Sequence, residues 1–190
     1  MHPLEKEYGL TAHQLLDALS KRFRAKVTLE GAVAEEQLAL HIQSATKSGA
    51  IKIYEEHDVD GHPDFSIWLP NRTNPILVEC KNVRNHNEAY RENGKIVAYK
   101  VETQKTRTSN NDPSSRFYGV NQFDILGVCL GKKTGNWSDF LFIRTKYLLR
   151  HKNFPEKLSV MHRVPFKDNA ADLGNWYNSL SDLLLNEYKK

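Results

Sequence analysis

The stretch PDFSIWLPNRTNPILVECK, residues 63–81, predicts the centre of the fold. Apolar and polar residues alternate over residues 65–69 and again over 76–81, which is the period-two pattern of half-buried β-strands. The intervening residues 70–75 are rich in proline, asparagine and threonine, which favours a turn. We therefore expect two paired strands joined by a hairpin connection.

The alternation also predicts which side chains share a face of this hairpin. Ile76 and Val78 point to one side of the second strand, whereas Glu79 and Lys81 point to the other. Asp64 opens the first strand on the side opposite to its apolar residues. In a paired hairpin, the side chains of Asp64, Glu79 and Lys81 would therefore converge on one point.

The segments on either side of the hairpin predict helices and further strands. Thr11 is a suitable N-cap for a helix over about 11–24, and a second helix is expected from about Val33 to Ala45. The order predicts an α/β fold in which helices flank a central mixed β-sheet, in a single domain over residues 1–190. The remaining expected elements are a helix over about 89–106, strands over 51–53, 123–130, 140–143 and 160–164, and an amphipathic C-terminal helix over about 172–188.

Composition is that of a globular protein, with 190 residues of which 39% are hydrophobic and 26% charged. No apolar run approaches the roughly 18 residues of a membrane span, and the N-terminus MHPLEKEYGL lacks the features of a signal peptide. Two cysteines are too few for a disulfide framework, so we expect a reducing, cytoplasmic environment and no membrane partner. The net charge of +4 is compatible with a polyanionic partner.

The converging side chains indicate a metal site. Two neighbouring carboxylates repel each other, so Asp64 and Glu79 require a cation, and oxygen ligands favour Mg²⁺ or Mn²⁺. The backbone carbonyl of Cys80 could add a third oxygen, and Lys81 supplies a positive charge beside the metal. This chemistry suits phosphodiester hydrolysis, in which the metal activates a bound water and Lys81 orients or deprotonates that water. The alternative is a solvated strand face that carries a surface ion pair.

The spacing Pro63-Asp64, fourteen residues, Glu79-Cys80-Lys81 resembles the motif of the PD-(D/E)xK nuclease superfamily, which includes most type II restriction endonucleases. The resemblance covers a catalytic core of about 33–145 and implies a restriction-endonuclease-like αβββαβ core. It implies that Asp64 and Glu79 are the metal ligands and that Lys81 is the catalytic lysine. The activity that it implies is Mg²⁺-dependent cleavage of DNA, with double-stranded DNA as the first candidate.

The same resemblance implies a further glutamate from the first core helix. Two candidates, Glu35 and Glu36, lie in the helix expected from about Val33 to Ala45. Glu35 lies three residues before Leu38 and so falls on the inward apolar stripe, whereas Glu36 projects toward the rim. The helical register therefore favours Glu35 as the additional catalytic carboxylate.

A second cluster of polar residues follows the Glu79-Cys80-Lys81 motif. Related nucleases often carry polar and basic residues on the helix after this strand, which makes Gln104 a candidate catalytic residue and Lys105 a candidate phosphate ligand. Arg107, Arg116 and Tyr118 are candidates for holding the flanking DNA backbone, because such side chains bind phosphate oxygens. The alternative is a solvated helix end and loop.

The resemblance leaves several functions open. A restriction endonuclease that cuts as a homodimer is the leading hypothesis, since two-fold symmetry matches a palindromic site. A repair, recombination or phage nuclease, such as a resolvase or an exonuclease, is a second. The third is a nucleic-acid-binding module of the same fold without catalysis, which the presence of Asp64, Glu79 and Lys81 disfavours.

Overall fold

Two compact units, Met1–Val33 and Ala34–Lys190, make up the computed structural model of the chain. The structure describes residues 1–59, 61–85, 87–105 and 112–188. Within these ranges, no helix has the length and apolar character that a membrane crossing requires.

The first unit is helical. It contains α1 (Pro3–Tyr8), α2 (Ala12–Ser20) and the first part of α3 (Phe23–Lys47). Thr11 caps α2 as expected, because its side chain accepts a hydrogen bond from the backbone N–H of Gln14. The expected start of the second helix at about Val33 is wrong, because α3 begins at Phe23 and continues through Gly31; a single glycine costs a helix only about 1 kcal/mol.

The second unit contains a five-stranded sheet in the order β1-β2-β3-β6-β7. Only the pairing of β3 with β6 is parallel, so the sheet is mixed. Together with the helices, it confirms the predicted α/β class with a central mixed sheet flanked by helices. The strands of this sheet are β1 (Ile53–Glu56), β2 (Phe65–Trp68), β3 (Ile76–Asn82), β6 (Ile125–Cys129) and β7 (Phe140–Arg144).

A second sheet replaces the helix that was expected over residues 89–106. It contains β4 (Ala89–Glu92), β5 (Lys95–Glu102) and β8 (Met161–Val164), all antiparallel. The turn between β4 and β5 is Asn93-Gly94, with φ angles of 50° and 78°. Asparagine and glycine tolerate positive φ and favour a two-residue hairpin turn, which explains why the helix prediction is wrong.

The two faces of the five-stranded sheet carry separate apolar clusters. One cluster joins Ile76 and Val78 of β3 with residues of α3 and of α5 (Leu180–Tyr188). The other joins β6 and β7 with Val101 and Val164 of the second sheet. The face assignment predicted from the alternation in residues 76–81 is therefore confirmed, and Glu79 and Lys81 fall on the side of the second sheet.

The C-terminal helix is shorter than expected. A 3₁₀ turn spans Ala170–Asp172, and α5 begins only at Leu180. Gly174 has a φ of 55°, which is a left-handed conformation that interrupts a helix. The remaining short elements are the helix α4 (Gly131–Thr134) and 3₁₀ turns at Pro113–Arg116 and Thr145–Tyr147.

Candidate active site

The pairing of β2 with β3 brings Asp64 and Glu79 together. Phe65 lies opposite Val78 in this antiparallel ladder, so the next step along both strands places Asp64 level with Glu79. The backbone N–H of Cys80 donates to Oδ2 of Asp64 at 2.6 Å and fixes the carboxylate at the end of the hairpin. The structure therefore confirms the predicted convergence of these two carboxylates.

The Glu79 carboxylate is buried, with 3% of the residue exposed, and two side chains hold it. Its Oε1 accepts hydrogen bonds from Nζ of Lys81 and from the hydroxyl of Tyr118, the latter at 2.5 Å. Nζ of Lys81 also donates to the backbone carbonyl of Cys80 at 3.0 Å. Lys81 thus lies between the two oxygen donors that were predicted to bind a metal from this strand.

The electrostatics of the site reflect two carboxylates in one partly buried place. Burial and the nearby Glu79 raise the pKa of Asp64 to about 7, although Lys81 and the hydrogen bond from Cys80 oppose this rise. Burial alone lowers the pKa of Lys81, but Glu79, Tyr118 and Asp64 outweigh it and raise that pKa above its ordinary value. Lys81 is therefore an ammonium group at neutral pH and acts as a positive charge in this arrangement.

Glu35 lies beside this group, on the part of α3 that belongs to the second unit. Its side chain is exposed, yet partial desolvation raises the pKa of its carboxyl, with Lys81 lowering this pKa and Glu79 raising it further. The Glu35 charge also acts on Asp64 and Cys80. This placement agrees with the helical register that favours Glu35 over Glu36.

Tyr118 occupies a different place from the one predicted. It is 7% exposed, burial raises the pKa of its hydroxyl, and that hydroxyl donates to Glu79. It therefore contacts Glu79, a predicted metal ligand, and is not exposed as a side chain that holds the flanking DNA backbone would be. The sequence carries no local signal for this contact, because Tyr118 and Glu79 are 39 residues apart.

The polar cluster around residue 104 follows a strand and not a helix. Gln104 forms an isolated antiparallel bridge with Phe117, and the backbone N–H of Lys105 donates to the carbonyl of Arg116. Nζ of Lys105 lies 5.7 Å from the ring centroid of Tyr118, and Nζ of Lys81 lies 5.5 Å from it. Among the described residues of this cluster, the ammonium of Lys105 therefore lies near Tyr118, which contacts Glu79.

The structure gives the other predicted ligands no contact with the two carboxylates, or does not describe them. Nε of Arg116 donates to the backbone carbonyl of Lys105 at 3.1 Å. The structure gives the Gln104 side chain no hydrogen bond to Asp64, Glu79 or Lys81, so its catalytic role stays a prediction. Arg107 lies outside the residues that the structure describes.

A pair of histidines, His57 and His62, lies close to Asp64 in the chain and in the structure. The rings of His57 and His62 are 4.1 Å apart, and Nε2 of His57 lies 2.9 Å from Oγ of Ser66. The backbone N–H of His57 donates to the carbonyl of Asp64 at 2.8 Å. These contacts link β1 to the start of β2 and help to fix the position of Asp64.

The chemistry of the donor atoms fits a hard divalent cation. Asp64 and Glu79 face each other, the Cys80 carbonyl lies next to them, and all three donors are oxygen atoms. Burial is the first cause of the raised pKa of Asp64, and the neighbouring Glu79 adds to it. In the part of the chain that is described, no cluster of three or more His, Cys, Asp or Glu side chains is positioned for a metal ion. A cation at this point would have two side-chain ligands, Asp64 and Glu79, with the Cys80 carbonyl as a third donor.

Comparison with known proteins adds little to this geometry. No family model matches the chain, and no curated protein is similar to it in sequence. Among solved structures, the chain is similar to a bacterial homing endonuclease, I-Ssp6803I, with a TM-score of 0.46 and 17% identity, over 75% of this chain and 80% of that chain. At that TM-score and identity, the likeness assigns neither a family nor an activity to this chain.

Proposed function

We propose that this chain is a Mg²⁺-dependent endonuclease that hydrolyses phosphodiester bonds of DNA in the manner of a type II restriction enzyme. The observation that supports the proposal is the convergence of Asp64, Glu79 and Lys81 at the end of the β2–β3 hairpin. Glu35 lies close enough for its charge to act on Asp64. Two carboxylates, a carbonyl and an ammonium group at one point are the parts that metal-assisted phosphodiester hydrolysis needs.

The proposed ligands of Mg²⁺, or of Mn²⁺ in its place, are the carboxylates of Asp64 and Glu79 and the carbonyl of Cys80. When bound, the metal supplies positive charge to a phosphate oxygen and acidity to a coordinated water. The ammonium of Lys81 adds a positive charge that stabilises the phosphate as negative charge develops on it. Glu35 is exposed, and the role that we assign to it is to orient the attacking water.

Tyr118 and Lys105 support this arrangement from the second sheet. The hydroxyl of Tyr118 holds one oxygen of Glu79, which leaves the other oxygen for the metal. Lys105 packs its ammonium against the ring of Tyr118 and is a candidate contact for the scissile phosphate. Lys81 keeps a quarter of its side chain exposed, so a phosphate can approach the site from solvent.

The proposal is tested by incubating the purified protein with supercoiled plasmid, with Mg²⁺ or with EDTA. We expect discrete linear fragments with Mg²⁺ and none with EDTA. Asp64→Asn, Glu79→Gln and Lys81→Ala should each abolish cleavage while leaving the protein folded. A matched control is Lys52→Ala, because Lys52 is an exposed lysine before β1.

Other outcomes of this assay favour the other functions. Progressive loss of DNA from its ends would indicate an exonuclease, and cleavage of branched DNA alone would indicate a resolvase. Binding of duplex, single-stranded and branched DNA without any cleavage would indicate a non-catalytic module. A homodimer, proposed because a palindromic site has two-fold symmetry, is tested by sedimentation of the free and DNA-bound protein.

A further inference from the structure

A polar cavity lies at the end of the five-stranded sheet, where β6 begins and β7 ends. It has a volume of about 230 Å³, and its polar lining includes Arg144, Thr145, Lys146 and Arg150. A single water needs only about 10–15 Å³ of such a cavity, so the space admits a group as large as a phosphate with its remaining waters.

Two polar atoms in the lining lack partners among the described residues. Thr145 is 5% exposed, and its Oγ1 is buried without a hydrogen bond. Nε of Arg144 is also buried without one. Buried polar groups nearly always have a partner, because leaving a donor or acceptor unpaired is costly. Both groups can donate a hydrogen bond, so a ligand with acceptor oxygens would satisfy them.

The charges around the cavity favour an anion. Nη1 of Arg144 pairs with Glu187 at 3.4 Å, and its guanidinium carbon lies 4.3 Å from the ring centroid of Tyr188, so the group is held in place. Lys146 also binds Glu187, at 2.7 Å, and Nη1 of Arg150 donates to the carbonyl of Pro155.

One carboxylate, Asp124, also belongs to the lining. Its Oδ2 accepts a hydrogen bond from the backbone N–H of Leu77 at 2.9 Å, so this oxygen is already used within the protein. Three cations against one lining carboxylate leave the cavity positive, even though Glu187 pairs with two of the cations.

The cavity is linked to the candidate active site through its apolar floor. Phe123 lines the cavity, and its ring meets Tyr118 edge to face with centroids 5.4 Å apart. Tyr118 in turn holds Glu79. Asp124 lies beside Leu77, two residues before Glu79 on β3, which corresponds to about 7 Å along a strand.

We propose that this cavity binds a phosphate of the DNA backbone that flanks the phosphate that is cleaved. The proposal rests on the proposed nuclease function for the identity of the ligand, whereas the anion site itself follows from the lining. Thr145 and Arg144 donate to the phosphate oxygens, and Arg150 adds charge at the mouth of the cavity.

The test is fluorescence anisotropy of a short labelled duplex DNA over a salt series in EDTA, so that cleavage cannot occur. Thr145→Val should weaken duplex binding roughly 10-fold, because it removes a hydrogen bond to a charged group. It should not lower the thermal stability of the free protein, since the lost hydroxyl has no partner there. Arg150→Gln should make the slope of log K against log salt shallower by about 0.9.

The matched control is Lys152→Gln, which removes one positive charge from the same segment at an exposed position outside the cavity. It should leave the salt slope nearly unchanged. The inference is overturned if Thr145→Val binds duplex as the wild type does, or if Lys152→Gln changes the slope as much as Arg150→Gln.

A titration with inorganic phosphate separates this inference from the proposed function. Phosphate should shift the Nε–H resonance of Arg144 in the wild type and shift it much less in Thr145→Val. A phosphate-dependent shift in a protein that does not cut DNA would support the proposed anion site and contradict the proposed nuclease function. Mg²⁺-dependent cleavage without that shift would support the proposed nuclease function and contradict the proposed anion site.

Discussion

Replacing Tyr118 by phenylalanine removes one hydroxyl from the candidate site and leaves the ring in place. The hydroxyl donates to the buried carboxylate of Glu79, and a hydrogen bond to a charged group contributes about 1.5–3 kcal/mol. For a chain of this size, a loss of that order lowers the melting temperature by roughly 3–12 °C. Glu79 keeps its contact with Lys81, so the protein should still fold.

The larger effect of Tyr118→Phe should be on the use of Mg²⁺. A side chain that orients a metal ligand typically changes metal affinity or activity by about 10–100-fold when it is removed. We expect the Mg²⁺ concentration for half-maximal plasmid cleavage to rise by that factor, with activity largely restored at high Mg²⁺. The assay is a Mg²⁺ titration of the initial cleavage rate.

Tyr147→Phe is the matched control for this prediction. Tyr147 also donates to a glutamate, with its hydroxyl 3.0 Å from Oε1 of Glu187, but it is exposed and lies away from Glu79. It should change stability by less than Tyr118→Phe and leave the Mg²⁺ dependence unaltered. If Tyr118→Phe keeps both the wild-type stability and the wild-type Mg²⁺ dependence, the role assigned to the Tyr118–Glu79 contact is wrong.

The structure also predicts the effects of three further substitutions. Burial lowers the pKa of His162 to about 4, so its contribution to stability should be full above pH 6.5. The free energy of unfolding should then fall by roughly 3 kcal/mol as the pH drops to 4, because the unfolded state binds the proton more readily. In urea unfolding, His162→Gln should not show this pH-dependent loss. Glu35→Gln should slow cleavage, whereas Glu36→Gln on the same helix should not, as initial rates will show. Gly94→Ala should cost about 1–2 kcal/mol in urea unfolding, because its φ is 78°, and an unchanged midpoint would contradict the turn geometry.

The hairpin at the centre of the site was predictable because its determinants are local. The alternation in residues 65–69 and 76–81 sets both the strand pairing and the faces, and the structure reproduces them. Asp64, Glu79 and Lys81 therefore come together through short-range pattern alone. Predicting that Glu35 lies near them required only the register of one helix in addition.

The contacts that complete the site were not predictable because they join distant parts of the chain. Tyr118 contacts Glu79 although 39 residues separate them, and no sequence periodicity encodes a contact over that separation. The helix expected over 89–106 is wrong because Asn93 and Gly94 adopt positive φ angles, which favour a hairpin. Extending the C-terminal helix back to 172 likewise overlooked Gly174.

The most direct test of the central claim compares plasmid cleavage by the wild type and by Asp64→Asn at the same Mg²⁺ concentration. The substitution removes one negative charge at constant shape and keeps an acceptor for the backbone N–H of Cys80. The account predicts Mg²⁺-dependent fragments from the wild type and none from folded Asp64→Asn. Equal cleavage by both proteins, or cleavage that persists in EDTA, would contradict the assignment of Asp64 and Glu79 as a metal-binding pair.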